Sequence, residues 1–227
     1  MAKLLEVIVT SVADAVEAEA GGADRLELVR DLGAGGLTPE PSLVESVLAA
    51  VRIPVRVMLR ENSSMMIESP DEIDAMQAAG AFFAGLPIDG LVAGFLYKHD
   101  LDRKAMEAVF SAVPDCRITF HRAFDELPDP AAALRALRDF PRIDRILTTG
   151  GSGDWEQRKE RLVHWQRSGG DALTILVGAG LMPEVPDGLR TTADLREVHI
   201  GRAARLGQSV QGPVQRDLVR AFKSALQ

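Results

Sequence analysis

At 227 residues, 46% hydrophobic and 26% charged, the chain has the make-up of a folded globular protein with one sizeable core rather than of a disordered segment. A formal net charge of -7 argues against a broad nucleic-acid or anionic-membrane surface and leaves room for a local basic pocket. One cysteine, Cys116, excludes an intramolecular disulfide and a multi-cysteine cluster, and four histidines without HxxxH spacing argue against a dedicated catalytic zinc.

The opening Met1-Ala2-Lys3-Leu4-Leu5-Glu6 meets a charge too early for a secretory segment. No apolar run approaches the ~20 residues of a membrane span, so a cytoplasmic protein is expected. Leu4 to Val9 reads as a strand, followed by Ser11 as a cap and an Ala- and Glu-rich helix to about Ala20 that Gly21-Gly22 stops. Arg25 to Val29 is the next strand, Gly33 to Gly36 a turn, and Pro39 to Val51 a helix opened by Thr38 and Pro39. The alternation continues with strands over Val55 to Arg60, Gly90 to Phe95, Arg117 to His121, Arg145 to Thr149, Thr174 to Gly178 and Glu197 to Ile200. Helices are expected around Ser69 to Ala79, Asp102 to Val113, Asp129 to Phe140, Asp154 to Arg167 and Pro213 to Leu226, with only a weak, Pro- and Gly-interrupted one before Glu197.

About eight β-α units predict a closed (β/α)8 TIM barrel, as a single domain over residues 1–227. An open doubly wound sheet is the runner-up. It usually opens with a Gly-rich first turn, and here that turn is Thr10-Ser11.

In a barrel, one strand parity packs outward on helices and the other fills the lumen. Leu5, Val7, Val9, Leu26, Leu28, Val55, Val57, Leu59, Ile118, Phe120, Val198 and Ile200 form an apolar outward set. The complementary set is Glu6, Arg25, Glu27, Arg56, Met58, Arg60, Thr119, His121, Arg145, Glu197 and His199. Such a charged lumen survives only as a paired network or as a solvated mouth. Arg25, Arg56, Arg117, Arg145 and Glu197 near strand starts are expected to pair at the floor, while Arg60, His121, Arg122, Asp125 and His199 near strand exits point to ligand chemistry. Glu6 and Glu27 sit at mid-depth and suit either use.

The stretch Ile118 to Asp125 joins this alternation to an imidazole, a guanidinium and a carboxylate, where barrels bind ligands. Gly178-Ala179-Gly180 leaves the seventh strand, Gly201-Arg202-Ala203 the eighth, and Thr148 to Gly153 the sixth; backbone N–H groups there, with Arg202 and Arg205, suit a small anion. The same glycines also serve tight turns. One function these residues allow is an enzyme of isomerase or lyase type. In it His121 is general acid and base, Glu6 and Glu27 are its carboxylate partners, and Arg60, Arg122 and Arg145 hold an anionic or phosphorylated metabolite. No lysine falls inside a strand, so a Schiff-base route needs Lys98 to reach in. A non-catalytic binding module is the other alternative.

Six stretches recur in order as a recognisable set: Gly21 to Leu28, Gly35 to Pro39, Pro54 to Arg60, Thr119 to Asp125, Asp144 to Gly150 and Arg196 to His199. Together they resemble the CutC copper homeostasis family. The resemblance implies a (β/α)8 barrel, a cytoplasmic location, self-association as a dimer or tetramer, and a role in copper tolerance with copper as the implied ion. Ile8 and Val29 stand where family members often carry cysteine, and Arg60-Glu61-Asn62-Ser63-Ser64-Met65-Met66 replaces the usual Arg-Pro-Arg-Gly-Gly-Asp-Phe, so the loop from Glu61 to Glu68 diverges. Copper(I) favours sulfur, which leaves Cys116, Met58, Met65, Met66 and the histidines His121 and His199 as its candidates. Cys116 opens the strand that His121 ends, roughly 16 Å away at ~3.3 Å per residue, so those two do not share an ion.

Overall fold

The computed structural model describes residues 3–178, 180–181 and 188–227. Eight parallel strands close into a barrel in chain order. They are β1 (Leu4–Val9), β2 (Arg25–Leu28), β3 (Val55–Met58), β4 (Gly90–Ala93), β5 (Ile118–Phe120), β6 (Ile143–Thr148), β7 (Thr174–Val177) and β8 (Glu197–Ile200). Outside them lie α1 (Val12–Ala20), α2 (Pro41–Ala50), α3 (Pro70–Ala84), α4 (Arg103–Ser111), α5 (Pro130–Leu137), α6 (Trp155–Gly169) and α7 (Arg216–Leu226). The expected TIM barrel is what the chain forms. The weak helix expected between β7 and β8 falls largely on residues 182–187, outside the described residues, as does Ala179.

Local chemistry sets most boundaries. Ser11 caps α1 by accepting from the Asp14 N–H, and Gly22 turns the chain at φ +95 just beyond it. The start of α2 departs from expectation: Pro41 occupies its first turn, and Thr38 serves another purpose. Its hydroxyl accepts from the Arg60 N–H at 2.8 Å and donates to the Arg60 carbonyl at 3.0 Å, stitching the loop after β2 to the exit of β3. Helix α3 runs to Ala84 rather than Ala79, with the buried Phe83 in its last turn. A short antiparallel hairpin, Leu96–Tyr97 with Asp100–Leu101, replaces the end of the strand expected through Phe95. Lys98 is its positive-φ turn residue and lies over the exposed Tyr97 ring, so it does not reach the lumen.

The two strand parities separate in space as the alternation requires. The outward residues Leu5, Val7, Val9, Leu26, Leu28, Val55, Val57, Leu59, Ile118, Phe120, Val198 and Ile200 join one apolar core with the helices. Burying each is worth roughly 1.5–3 kcal/mol, and that sum drives closure. Inside, Ile8, Val29, Met58 and Val92 form a separate apolar cluster.

Below that cluster the floor is ionic. Arg25 reaches Glu6 at 2.5 Å and Glu197 at 2.7 Å, and Arg145 grips Glu197 at 2.7 and 3.0 Å and also binds Asp144. Arg56, with no exposed surface, donates to Asp144, to Asp89 at 2.8 Å and to Thr119 Oγ1 at 2.7 Å. Buried charge persists here because neighbours of opposite sign occupy its hydrogen-bonding positions. Arg117 does not belong: it precedes β5 and is exposed. Asp144 and Asp89 do belong, although strict alternation would not place Asp144 beside Arg145; the β5–β6 register shifts between Ile118 and Thr119, next to them.

Candidate functional site

At the strand exits the lumen opens into a cavity of about 450 Å³ whose lining includes Glu27, Met58, Arg60, Met65, His121, Arg122, His199, Gly180, Gly201 and Arg202. Parallel strands bring these together because every second residue of β2, β3 and β8 points inward and the chain leaves each strand at the same end. His121 follows β5 directly, and Arg60 lies two residues past β3.

Three side chains meet at this cavity, Glu27 and His199 on its wall and Glu6 behind them. His199 Nδ1 lies 2.8 Å from Glu6 Oε1 and 3.4 Å from Glu27 Oε2. Glu6 and His199 are opposite each other in the β1–β8 register, which fixes the shorter contact. Burial opposes ionisation of Glu6, but Arg25 and the His199 hydrogen bond outweigh it and hold its carboxyl well below the usual range. Burial also opposes charge on His199; the Glu6 hydrogen bond and the two carboxylates prevail and raise its pKa. Glu27 is 1% accessible and the least compensated of the three: neither carboxyl oxygen has a hydrogen-bond partner among the described residues, and burial pushes its pKa up to about 7. Glu6 itself lies beneath, committed to Arg25 and His199.

His121 is buried at the exit of β5. Its Nδ1 accepts the Ala123 N–H at 3.2 Å, so the neutral ring carries its proton on Nε2. Burial and the Arg60 charge push its pKa down to about 3. With one lone pair engaged and the ring neutral, it offers the cavity a donor, and Nε2 has no partner among the described residues. In this tautomer the ring presents Nε2–H, rather than a free lone pair, to the cavity.

Arg60 is a buried cation held by carbonyls. Its guanidinium donates to Asn62 at 2.8 Å, Ser63 at 2.5 Å, Ser64 and Gly35 at 3.3 Å, and Ala34 at 3.4 Å. Gly35 and Gly36, at φ +86 and +90, turn the chain so that this loop borders the cavity. The repeated Gly35-Gly36 signal was present in the sequence; that it clamps Arg60 was not readable there. Asp125 accepts from the Thr148 hydroxyl and from the Thr149 N–H at 3.1 Å, which ties the loop after β6. It also meets the exposed Arg122 at 3.4 Å.

Three expected ligand groups are placed elsewhere. Arg145 belongs to the floor and cannot hold a substrate at the mouth. Arg205 turns away to Asp14 at 3.0 Å and to the Ile8 and Gly212 carbonyls. Gly178 is needed for packing, since a Cβ there would sit 2.4 Å from Leu147. Gly180, Gly201 and Arg202 do line the cavity.

The residues do not suit a thiolate copper(I) centre. Cys116 lies before β5, at the opposite end of the barrel, and burial raises its pKa so that the thiol keeps its proton. Ile8 and Val29 pack together with Met58 in the inner apolar cluster. Sulfur reaches the cavity as the thioethers of Met58 and Met65, while Met66 is 46% exposed and points to solvent.

A family model described as the CutC family matches residues 3–204. A human relative named copper homeostasis protein cutC homolog is 40% identical over 148 residues, 65% of this chain and 54% of that protein, so the match spans about half of the relative's length. A CutC family protein of Xanthomonas campestris pv. campestris (strain B100) is 32% identical over 212 residues, 92% of this chain and 87% of the other. Among solved structures, one described as CutC from Streptococcus agalactiae superposes with a TM-score of 0.78 at 24% identity, covering 88% of this chain and 98% of that one. That likeness concerns the fold.

Proposed function

This chain belongs to the CutC family, and from that premise we propose that it serves copper homeostasis in the cytoplasm by handling a small anionic molecule at the barrel mouth rather than by holding copper(I) on thiolates. The observation that carries this reading is the pair of buried groups with no hydrogen bond among the described residues, the Glu27 carboxyl and His121 Nε2, on one cavity with Arg60, Arg122 and Arg202. An unpaired buried polar group costs roughly 1–3 kcal/mol, a penalty that a bound ligand relieves. A ligand oxygen would accept from His121, and the arginines would offset its charge. Reaction of isomerase or lyase type by proton transfer is the second reading, favoured by the 3.4 Å approach of Glu27 to a ring that Glu6 orients. Self-association as a dimer or tetramer is part of the proposal and comes from the family resemblance. The cytoplasmic location is supported by a composition with one cysteine.

The test is thermal unfolding of metal-free protein with inorganic phosphate. Saturating anion should raise the midpoint, by about 2.7 kcal/mol of stabilisation at a hundred times Kd, and His121→Ala should abolish the shift while still unfolding cooperatively. A midpoint indifferent to phosphate, sulfate and small carboxylates leaves the reading without support. Anaerobic copper(I) titration should find less than one tight equivalent; a tight one-to-one site lost on changing Met58 and Met65 would replace this proposal with direct copper binding.

A further inference from the structure

We propose that Glu6, Glu27 and His199 form a three-ligand site for one divalent first-row cation that takes carboxylate and imidazole ligands, of the manganese, cobalt or zinc type. These are the only three or more His, Cys, Asp or Glu side chains among the described residues with one ligand atom each within 4.8 Å of one another. Nδ1 of His199 stands 2.8 Å from Glu6 and 3.4 Å from Glu27. Ligands ~2.0–2.2 Å from a common ion sit ~3–3.5 Å apart, so His199 already has nearly the spacing that a shared cation requires. Glu6 would present Oε1 to the ion while Oε2 keeps its bond to Arg25, the outer support that commonly orients a ligating carboxylate.

Two independent features point to an occupant. Glu27 is buried with neither oxygen hydrogen-bonded among the described residues, a condition rare in folded proteins and explained by an ion that binds there. His121, 2% exposed and from another strand exit, has a partnerless Nε2 on the same cavity, placed to donate to a molecule that shares it with the ion. Three protein ligands beside about 450 Å³ of open space leave coordination positions free, as in sites that work on substrates. The oxygen and nitrogen donor set disfavours copper(I), which distinguishes this site from the cysteine positions occupied by Ile8 and Val29. A cation needs its ligating imidazole nitrogen and carboxyl oxygens free of protons, so binding weakens as pH falls.

The experiment is titration of chelator-treated protein with Co²⁺, read by its visible d–d bands, together with anomalous scattering from Co²⁺-soaked crystals of the unaltered chain. One equivalent per chain, lost in Glu27→Gln and in His199→Gln but kept in Cys116→Ser, supports the site. The anomalous peak should lie within bonding distance of Glu6, Glu27 and His199. No saturable equivalent, a peak elsewhere, or retention in both variants overturns it, and the crystal measurement decides even if the variants do not fold. Phosphate stabilisation without cation binding would overturn this inference alone, and cation binding without an anion effect would overturn the proposed function alone.

Discussion

His121 titrates far from its ordinary range because the side chain is buried and Arg60 lies near it, and the sign of the consequence is fixed. Its folded pKa of about 3 lies below the unfolded value of 6.5, so between those values the unfolded chain binds more protons. Stability therefore falls as pH drops from 6.5 toward 3, by up to a few kcal/mol at 1.36 kcal/mol per unit. In His121→Gln that loss should vanish, so urea unfolding of parent and variant from pH 7 to 4 should give converging curves. Parallel curves would mean that the ring protonates freely in the folded state. This residue's position was legible from alternation, but its tautomer was not: that depends on the Ala123 N–H, which the turn after β5 brings to Nδ1.

Elements explain which site residues moved from expectation. A period-2 pattern tells which residues of a strand face inward, but not what happens once the strand ends. Glu27 and His199 lie within β2 and β8 and were placed by parity alone. Arg60 lies beyond β3, where the chain is held by Thr38 and by turn carbonyls, and its guanidinium became a loop clamp. The loop from Glu61 onward is closed by that clamp and by Asn62 bonding to Glu72 at 2.9 Å. Arg205 follows the same logic: one short 3₁₀ turn after β8 takes it away from the mouth to Asp14.

The barrel as a whole has an apolar jacket, an ionic floor and a polar mouth, separated by the cluster of Ile8, Val29, Met58 and Val92. The floor is a mutual arrangement, so removing one member exposes the others. Arg56→Met leaves Asp89 without its cation and Asp144 with Arg145 alone. It should destabilise by about 3–5 kcal/mol, measured by denaturant unfolding, with little dependence on salt because the side chain is fully buried. A loss below 1 kcal/mol would show that the floor is solvated rather than dry.

The sequence by itself determined the alternation of strands and helices, the closed barrel, the two faces of each strand and the family. These depend on period, capping residues and turn glycines, which are local. Only the tertiary structure decided how the charged side chains divide their partners: Arg145 to the floor, Asp125 to a neighbouring loop, Glu27 to the His199 ring at 3.4 Å without a hydrogen bond. A hydrogen bond or ion pair between positions far apart in the chain depends on distance and angle in space, and no periodicity along the chain records either.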